Sequence, residues 1–436
     1  MYEFMTKWFA IALLAVASPL PAVAASGAGE TLIYTVKRGD TLFALSRDYL
    51  IGSDAMRQLR AANKVRIPER MPVGMQLVVP RRLLKFTPVT LKVQTFSGPV
   101  SLAANGRTLP VQKGADLVEG AQLITGANGF VVLGGSDGSR VALPSNSAVR
   151  VGQARRYLLV NATDIELQVD KGRAEVRAAK QAPDSRFRVK TPLAVTAVRG
   201  TIFRAGYSEA AASAATETIE GEVAVASPKA ELAVPAGFGA AATASGDLAK
   251  ETLLPAPQLA DPAKVQTEAL VSLDFKPVAE ARGYRIQVAR DAGFQDVIAE
   301  VEPVTPRGEF ADIRNGTFFV RAAGVSPIGL QGLEEAWSFR RQRVGLAADA
   351  GQSALPGGFR FAWQAEGEGK SLFRFQLYGP QAADLPLVDE AGLGKPEMTL
   401  TGLKPGAYRW RVGVIQTTPE GSAEVWMPLQ KLTVGG

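Results

Sequence analysis

The stretch YTVKRGDTLFALSRDYL, residues 34–50, joins a short strand pattern directly to a helix pattern. Residues 33–37 alternate between apolar and polar side chains, which predicts a strand. Gly39 gives the following turn its conformational freedom, and Asp40 is placed to cap the next helix. The apolar residues after Asp40 recur at helical spacing, so the stretch predicts a strand that runs into an amphipathic helix.

The residues that follow predict a second helix and a closing strand. Ser53 is a suitable cap for a helix that runs to Ala62, and Asn63 suits the left-handed position at its end. A loop with prolines and a glycine then leads to a strand over residues 76–79, which Pro80 closes. The order strand, helix, helix, strand predicts two helices packed on one face of a two-stranded sheet.

Taken together, residues 34–80 resemble a LysM domain. The ordered motifs YTVKRGDTLFALS, LRAANKV and MPVGMQLVVP carry the resemblance. It implies a β-α-α-β fold that binds N-acetylglucosamine polymers such as peptidoglycan and chitin. It also implies that the sugar lies in a shallow groove between the first strand–helix loop and the second helix–strand loop.

The implied groove has two sides, each built from one loop. One side is formed by Gly39, Asp40, Thr41 and Leu42, and the other by Asn63, Lys64, Val65, Arg66, Ile67 and Pro68. Backbone N–H and C=O groups can bond an acetamido group, while apolar side chains cover its methyl group and the sugar ring. The two cations make the second loop unusually basic, which leaves peptide-stem carboxylates and anionic wall polymers open as ligands.

The composition of the chain excludes several kinds of chemistry. Its 436 residues include no Cys and no His, so disulfides, Ser-His-Asp or Cys-His nucleophiles and His- or Cys-based metal sites are excluded. The carboxylate pair Glu366 and Glu368 has the composition of a glycosidase site, but it is predicted at a solvated hairpin tip. We therefore predict a protein that is not an enzyme, with no catalytic residues, no metal and no cofactor.

The first residues predict export from the cytoplasm. Residues 1–25 read as a signal peptide, with an apolar core over 8–17 that is too short to span a bilayer and a small-residue cleavage site after it. An uncleaved anchor is the alternative, and no later segment has the length of a transmembrane span. The net charge of +7 suits acidic wall polymers, lipid headgroups or an acidic partner, or it is simply solvated. We expect a periplasmic, wall-associated protein that does not bind nucleic acid.

Residues 86–245 change to short β-prone runs separated by turn dipeptides such as Asn128-Gly129, Asp137-Gly138 and Lys171-Gly172. This texture predicts an all-β domain, either a sandwich or a solenoid-like stack. Residues 193–198 are apolar except for one threonine and predict a central strand covered on both faces, with Arg199 at a structural corner.

The motifs EGAQLITG, DGSRV and TPLAVTAVRGT, within residues 94–245, make this region resemble a FecR domain. The namesake of that family is a single-span regulator that meets an outer-membrane receptor and controls a sigma factor. We find no cytoplasmic N-terminal domain or internal span here, and a LysM-like unit stands in that place. The resemblance therefore implies a scaffold that senses a ligand or a partner rather than sigma-factor control.

The C-terminal part contains two related blocks after a predicted linker over residues 246–263. YRIQV at 284–288 matches FRFQL at 373–377, and the blocks cover residues 264–345 and 353–436. They loosely resemble fibronectin type III repeats, which implies two β-sandwiches. Four tryptophans are predicted to fill the sandwich cores, with a carbohydrate-stacking platform as the alternative; they are Trp337, Trp363, Trp410 and Trp426.

The sequence thus predicts a multidomain, mainly β protein, with a small α+β LysM unit at 30–82, an all-β FecR-like domain and two β-sandwich repeats. Its predicted function is to bind peptidoglycan and to present the β domains at the wall to an envelope protein that the sequence does not name. The alternatives are a peptidoglycan hydrolase or its accessory, and a periplasmic signalling regulator of the FecR type.

Overall fold

The structure, a computed structural model, describes residues 31–104, 106–180, 184–198, 200–380, 385–419 and 421–435. The predicted signal peptide and Arg199 lie outside the described residues. Within these ranges no helix has the length and apolar character of a membrane span. The chain divides into two compact units at the boundary between Lys85 and Phe86, and each unit is described by itself.

The first unit has the predicted β-α-α-β fold. Its elements are β1 (Thr31–Thr35), α1 (Leu42–Tyr49), α2 (Ala55–Asn63) and β2 (Gln76–Pro80), followed by a short 3-10 helix over Arg81–Leu83. The two strands pair antiparallel, and alternate residues of each point into the core because strand side chains alternate between faces. The deeply buried core side chains include Leu32, Leu42, Leu59, Leu77 and Val79.

The start of α2 differs from the prediction. The capping position is Asp54 rather than Ser53, and its side chain makes no capping hydrogen bond. Asp54 instead pairs with Arg57 one helical turn later. Both residue types are good caps, so composition alone could not choose between neighbours.

The second unit begins with an all-β domain, as predicted. Its strands are β3 (Phe86–Pro88), β4 (Leu91–Ser97), β5 (Val100–Ala104), β6 (Arg107–Pro110), β7 (Asp116–Leu117), β8 (Gln122–Thr125), β9 (Phe130–Gly135), β10 (Arg140–Leu143), β11 (Ala148–Tyr157), β12 (Ala162–Arg177), β13 (Arg186–Lys190), β14 (Val195–Val198), β15 (Ile202–Ser208), β16 (Ser213–Glu220), β17 (Glu222–Ala226), β18 (Glu231–Pro235), β19 (Phe238–Thr243) and β20 (Leu248–Thr252). One apolar core, which includes Leu91, Ile165, Leu167, Phe187 and Phe203, lies inside them.

Strand β12 belongs to two sheets, and this corrects the predicted turn at Lys171-Gly172. Residues 162–171 pair with β11, whereas residues 172–177 pair with β15 in the other sheet. Gly172 has φ +73°, and a Cβ there would lie 2.6 Å from the backbone of Ser147. The dipeptide therefore bends a long strand rather than ending it, because only glycine tolerates that backbone next to a close neighbour.

The predicted central strand is β14, which lies between β13 and β17. Its residues alternate between buried and half-buried, so one face is fully covered and the other only partly. Thr196 is buried in the apolar sequence because its hydroxyl lies 2.8 Å from the hydroxyl of Thr216. That hydrogen bond satisfies a polar group that would be costly to bury alone.

The predicted linker over residues 246–263 is partly structured. Strand β20 lies within it and pairs antiparallel with β19, which extends the all-β domain to Thr252. Leu253 and Leu259 are both buried. Because the stretch is rich in alanine and proline, its composition did not predict the strand or the two buried leucines.

Two β-sandwiches complete the second unit. The first contains β21 (Val271–Asp274), β22 (Gly283–Ala289), β23 (Val297–Val301), β24 (Arg307–Phe310), β25 (Gly316–Val325) and β26 (Glu335–Arg341). The second contains β27 (Val344–Gln352), β28 (Phe359–Gly367), β29 (Lys370–Tyr378), β30 (Val388–Leu393), β31 (Glu397–Leu400), β32 (Gly406–Thr418), β33 (Gly421–Trp426) and β34 (Gln430–Val434). The second block therefore starts at Val344 rather than 353, because β27 pairs with β28 along its whole length.

The tryptophans divide between core and surface. Trp363 and Trp410 are buried among phenylalanines, and Trp337 packs against the first core, as predicted. Trp426 is different, since its ring covers Gly413 on the outer face of the second sandwich. Glu366 and Glu368 are exposed at the β28–β29 hairpin, where they were expected.

Candidate glycan-binding loops

The structure brings the two predicted loops of the first unit together. The Leu42 N–H donates to the Pro68 carbonyl over 2.9 Å, so the start of α1 and the end of the second loop share one edge. Leu42 itself is buried, whereas Gly39 is exposed. The ten predicted residues therefore lie on two adjoining segments, as a groove between loops requires.

The first loop is held by Asp40, but not as a helix cap. Asp40 Oδ2 accepts hydrogen bonds from the Tyr34 hydroxyl over 2.8 Å and from the Lys37 N–H over 2.7 Å. The cap of α1 is Thr41, whose Oγ1 accepts from the Ala44 N–H over 3.1 Å. Asp40 closes the turn before the helix, which corrects the predicted capping role.

Gly39 is required by the turn rather than by crowding. Its φ is +92°, a backbone conformation that residues with a Cβ rarely adopt, and no atom lies within 4 Å of the place where a Cβ would stand. The open space beside Gly39 leaves this part of the loop accessible to a ligand.

Tyr34 makes the stability of the first unit depend on pH. Burial and the hydrogen bond to Asp40 raise the pKa of the Tyr34 hydroxyl above its usual value of 10.0. Above pH 10.0 the Tyr34 hydroxyl loses its proton in the unfolded chain but keeps it in the folded unit. The free energy of unfolding of the first unit is therefore expected to fall as the pH rises beyond 10.0.

Urea unfolding of a fragment over residues 31–85, followed by circular dichroism at about pH 9 and about pH 11, measures this effect. Y34F lacks the ionisable group and serves as the control, with a smaller loss of stability between the two pH values. Equal losses in the two proteins would contradict the assignment.

The second loop begins at Asn63, whose side-chain amide is used by the fold. Its Nδ2 donates to the carbonyls of Leu59 and Val78, each over 2.9 Å, and its Oδ1 accepts from the Val78 N–H over 2.6 Å. The left-handed position at the end of α2 is Lys64, with φ +51°, rather than Asn63. Asn63 thus fixes α2 to β2, and a direct contact with sugar stays a prediction.

Arg60 of α2 supports the second loop, a role that the sequence did not indicate. Its Nε donates to the Val65 carbonyl over 3.1 Å and its Nη2 to the Arg66 carbonyl over 3.3 Å. These two bonds, together with the buried Val65 side chain, hold the backbone of the loop. The only signal was a basic residue in the last turn of a helix, which is a common and uninformative position.

Three of the predicted residues present side chains to solvent. Lys64 and Arg66 are exposed, and the Ile67 side chain is 56% exposed beside Pro68. Phe43, directly after the first loop, is 63% exposed and was not predicted as part of the site. The loops therefore offer apolar surface for a sugar face together with cations for carboxylates or phosphates.

Two family models match parts of the chain. Residues 34–80 match the LysM domain, and residues 121–224 match the FecR protein. The first unit matches the LysM family. The LysM match spans both loops, and the FecR match lies inside the all-β domain and within the predicted range 94–245.

Other comparisons are more distant. No curated protein matches the chain significantly. Two crystal structures of a protein assigned as an anti-sigma factor from Parabacteroides distasonis are 17% identical, with a TM-score of 0.26, and cover 30% of this chain and 59% of theirs. A two-domain fibronectin type III segment of chicken tenascin is 17% identical with a TM-score of 0.20, and covers 41% of this chain and 100% of the segment. These scores are too low to carry an argument.

Proposed function

We propose that this protein is a non-enzymatic component of the cell envelope. Its LysM unit binds peptidoglycan or another N-acetylglucosamine polymer between the two joined loops, and the second unit holds the FecR-like domain and the sandwiches at the wall, in the periplasm. The observation that carries the proposal is the Leu42–Pro68 hydrogen bond within a segment that matches the LysM family.

The chemistry of the loops supports this ligand class. A sugar with an acetamido group needs backbone donors and acceptors for the amide and an apolar surface for the methyl group and ring. Ile67 supplies exposed apolar surface, and the neighbouring cations suit the carboxylates of peptide stems. The proposed site comprises Gly39, Asp40, Thr41, Leu42, Asn63, Lys64, Val65, Arg66, Ile67 and Pro68.

A second candidate function is regulation of signalling across the envelope. The match of residues 121–224 to the FecR protein favours it. The two functions are compatible, since a wall-bound unit can present a sensing domain. In both, the FecR-like domain works through an envelope protein that contacts the β domains.

Co-sedimentation with insoluble peptidoglycan tests the first proposal. The full-length mature protein is expected to pellet with sacculi, and a variant without residues 34–80 is expected to stay in solution. Binding by the loops should largely persist at about 0.5 M NaCl, where the Debye length is only a few ångströms, whereas charge-driven adsorption should vanish. Equal pelleting of the two proteins would contradict glycan binding, and clearing of the sacculus suspension would contradict the non-enzymatic function.

A further inference from the structure

The two sandwiches carry the same polar cluster on the outer face of one sheet. In the first sandwich, Arg285 Nη2 donates to Glu300 Oε2 over 2.7 Å, and Gln287 donates to the same oxygen. Arg321 Nε on β25 donates to Gln287 Oε1 over 2.7 Å. The cluster therefore joins three neighbouring strands through one carboxylate and one amide.

The second sandwich repeats these contacts. Arg374 donates to both oxygens of Asp389, each over 2.7 Å, and Gln376 donates to Asp389 over 3.1 Å. Arg411 Nε on β32 donates to Gln376 Oε1 over 2.8 Å. The strand registers agree as well. Arg411 lies opposite Gln376 on the neighbouring strand, and Arg321 lies opposite Gln287 in the same way. The two polar clusters thus occupy equivalent positions of the repeat.

In the first sandwich this surface is covered by the FecR-like domain. Arg321 Nη2 lies 3.0 and 2.9 Å from the two carboxylate oxygens of Glu175 on β12. Beside it, Arg204 donates to the Gln331 carbonyl over 2.8 Å, and the Gln331 N–H donates to Glu217 over 2.9 Å. The first copy of the cluster is therefore an interface within the chain. A β-sheet of the FecR-like domain packs on it, and Glu175 of that sheet pairs with Arg321.

In the second sandwich the ion pair of the same surface is partly exposed, although Gln376 itself is buried. The Arg374 and Asp389 side chains are 44% and 31% exposed. The Arg411 guanidinium lies 4.6 Å from the Trp426 ring centroid, and within the described part of the chain it has no carboxylate at ion-pair distance. Among the described residues, no carboxylate takes the position that Glu175 fills for the first copy.

The exposed surface combines positive charge with apolar area. Arg374 on it pairs with the carboxylate of Asp389, and Arg411 donates to Gln376 on the same face. Leu372 and Ile415 lie opposite each other on β29 and β32, and their side chains are 39% and 40% exposed. Exposed apolar side chains on the same face as a guanidinium without an ion-pair partner among the described residues suit an interface with a charged anchor.

We propose that this face of the second sandwich docks a β-sheet of a partner protein, which supplies a glutamate or aspartate carboxylate to Arg411 as Glu175 does to Arg321. The first sandwich shows the chemistry of the occupant, which is a carboxylate on a neighbouring β-strand paired with the arginine of β25. The partner is the envelope protein of the proposed function, on which this docking site rests. Its test does not involve the LysM loops, so the two can fail separately.

Site-specific photocrosslinking of the full chain in the cells that make it tests the proposal. A benzoylphenylalanine replaces Leu372 on the proposed face, and a control protein carries it at Leu355, which is 55% exposed and precedes β28 of the other sheet. We expect one protein adduct from position 372 only, with the crosslink on a partner strand next to a carboxylate. R411E should reduce the adduct at least about tenfold, and reversing the partner's carboxylate to arginine should restore it.

The matched charge control is R360E, since Arg360 is 55% exposed and pairs with Glu397 on the other sheet. It should leave the adduct unchanged. Restoration by the reversed partner also shows that R411E still folds. The proposal is overturned by equal adducts at both positions, by an adduct that R411E leaves intact, by a loss that the reversed partner does not restore, or by an adduct to glycan or to a second copy of this chain.

Discussion

Replacement of Arg285 by alanine is expected to lower the free energy of unfolding of the second unit by about 3–5 kcal/mol. The Arg285 and Glu300 side chains are only 3% and 4% exposed, and 2.7 Å separates their charged atoms. Removal of the guanidinium leaves a buried carboxylate whose remaining side-chain partner is the neutral amide of Gln287. A buried charge without its counter-ion is among the most destabilising changes that one substitution can make.

The repeat provides the control for this prediction. Arg374 makes the corresponding ion pair with Asp389 at the same distance of 2.7 Å, but the two side chains are 44% and 31% exposed. R374A should therefore cost less than about 1 kcal/mol, because water replaces the lost contact. Urea unfolding followed by tryptophan fluorescence measures both variants. If R374A proved as destabilising as R285A, burial would not be what distinguishes the two copies.

Replacement of Ile67 by aspartate is expected to weaken binding of a soluble chitin oligomer about 30-fold, or about 2 kcal/mol. Ile67 is exposed beside the carbonyl that joins the two loops, where the proposed function needs an apolar contact with the sugar. A carboxylate at this position would lose its hydration against the ligand, and it can gain no counter-charge from a neutral sugar. Isothermal titration calorimetry of the full chain gives the dissociation constant.

V73D is the matched control for I67D. Val73 is a β-branched residue of the same unit, 68% exposed and outside the predicted loops, so its replacement should change the dissociation constant less than twofold. The loss in I67D should remain at about 0.5 M NaCl, which separates a lost contact from altered long-range charge. Similar weakening by both substitutions, or none by I67D in a folded protein, would contradict the proposed position of the sugar.

The small N-terminal unit was predictable because its signals are local. Strand alternation, a glycine at a turn and apolar residues at helical spacing all act within a few residues of one another. Two of its three one-position errors run from Asp40 to Thr41 at one cap and from Asn63 to Lys64 at the left-handed residue. In each case both neighbours are polar, and the choice depends on bonds to distant residues such as Tyr34 and Val78.

For the candidate site, the sequence indicated the two loops but not how each side chain is used. Asn63 looked like a ligand contact, and its amide is bonded to the backbone of Leu59 and Val78. Arg60 gave no signal, although it holds the second loop. Local pattern indicates which residues form a loop, whereas the hydrogen-bond partners of a side chain come from segments far away in the sequence.

The amino-acid sequence alone determined the order of the folded parts, the absence of cysteine and histidine chemistry, and the internal repeat that relates the two sandwiches. Only the tertiary structure decided that β12 serves two sheets and that one copy of the repeated arginine cluster is buried against Glu175 while the other is open. The two copies share the arginines and the glutamine of the cluster, although Arg409 stands in the second where the first has Phe319. Burial also depends on what packs against a surface, and β12, which supplies Glu175, is distant in the sequence.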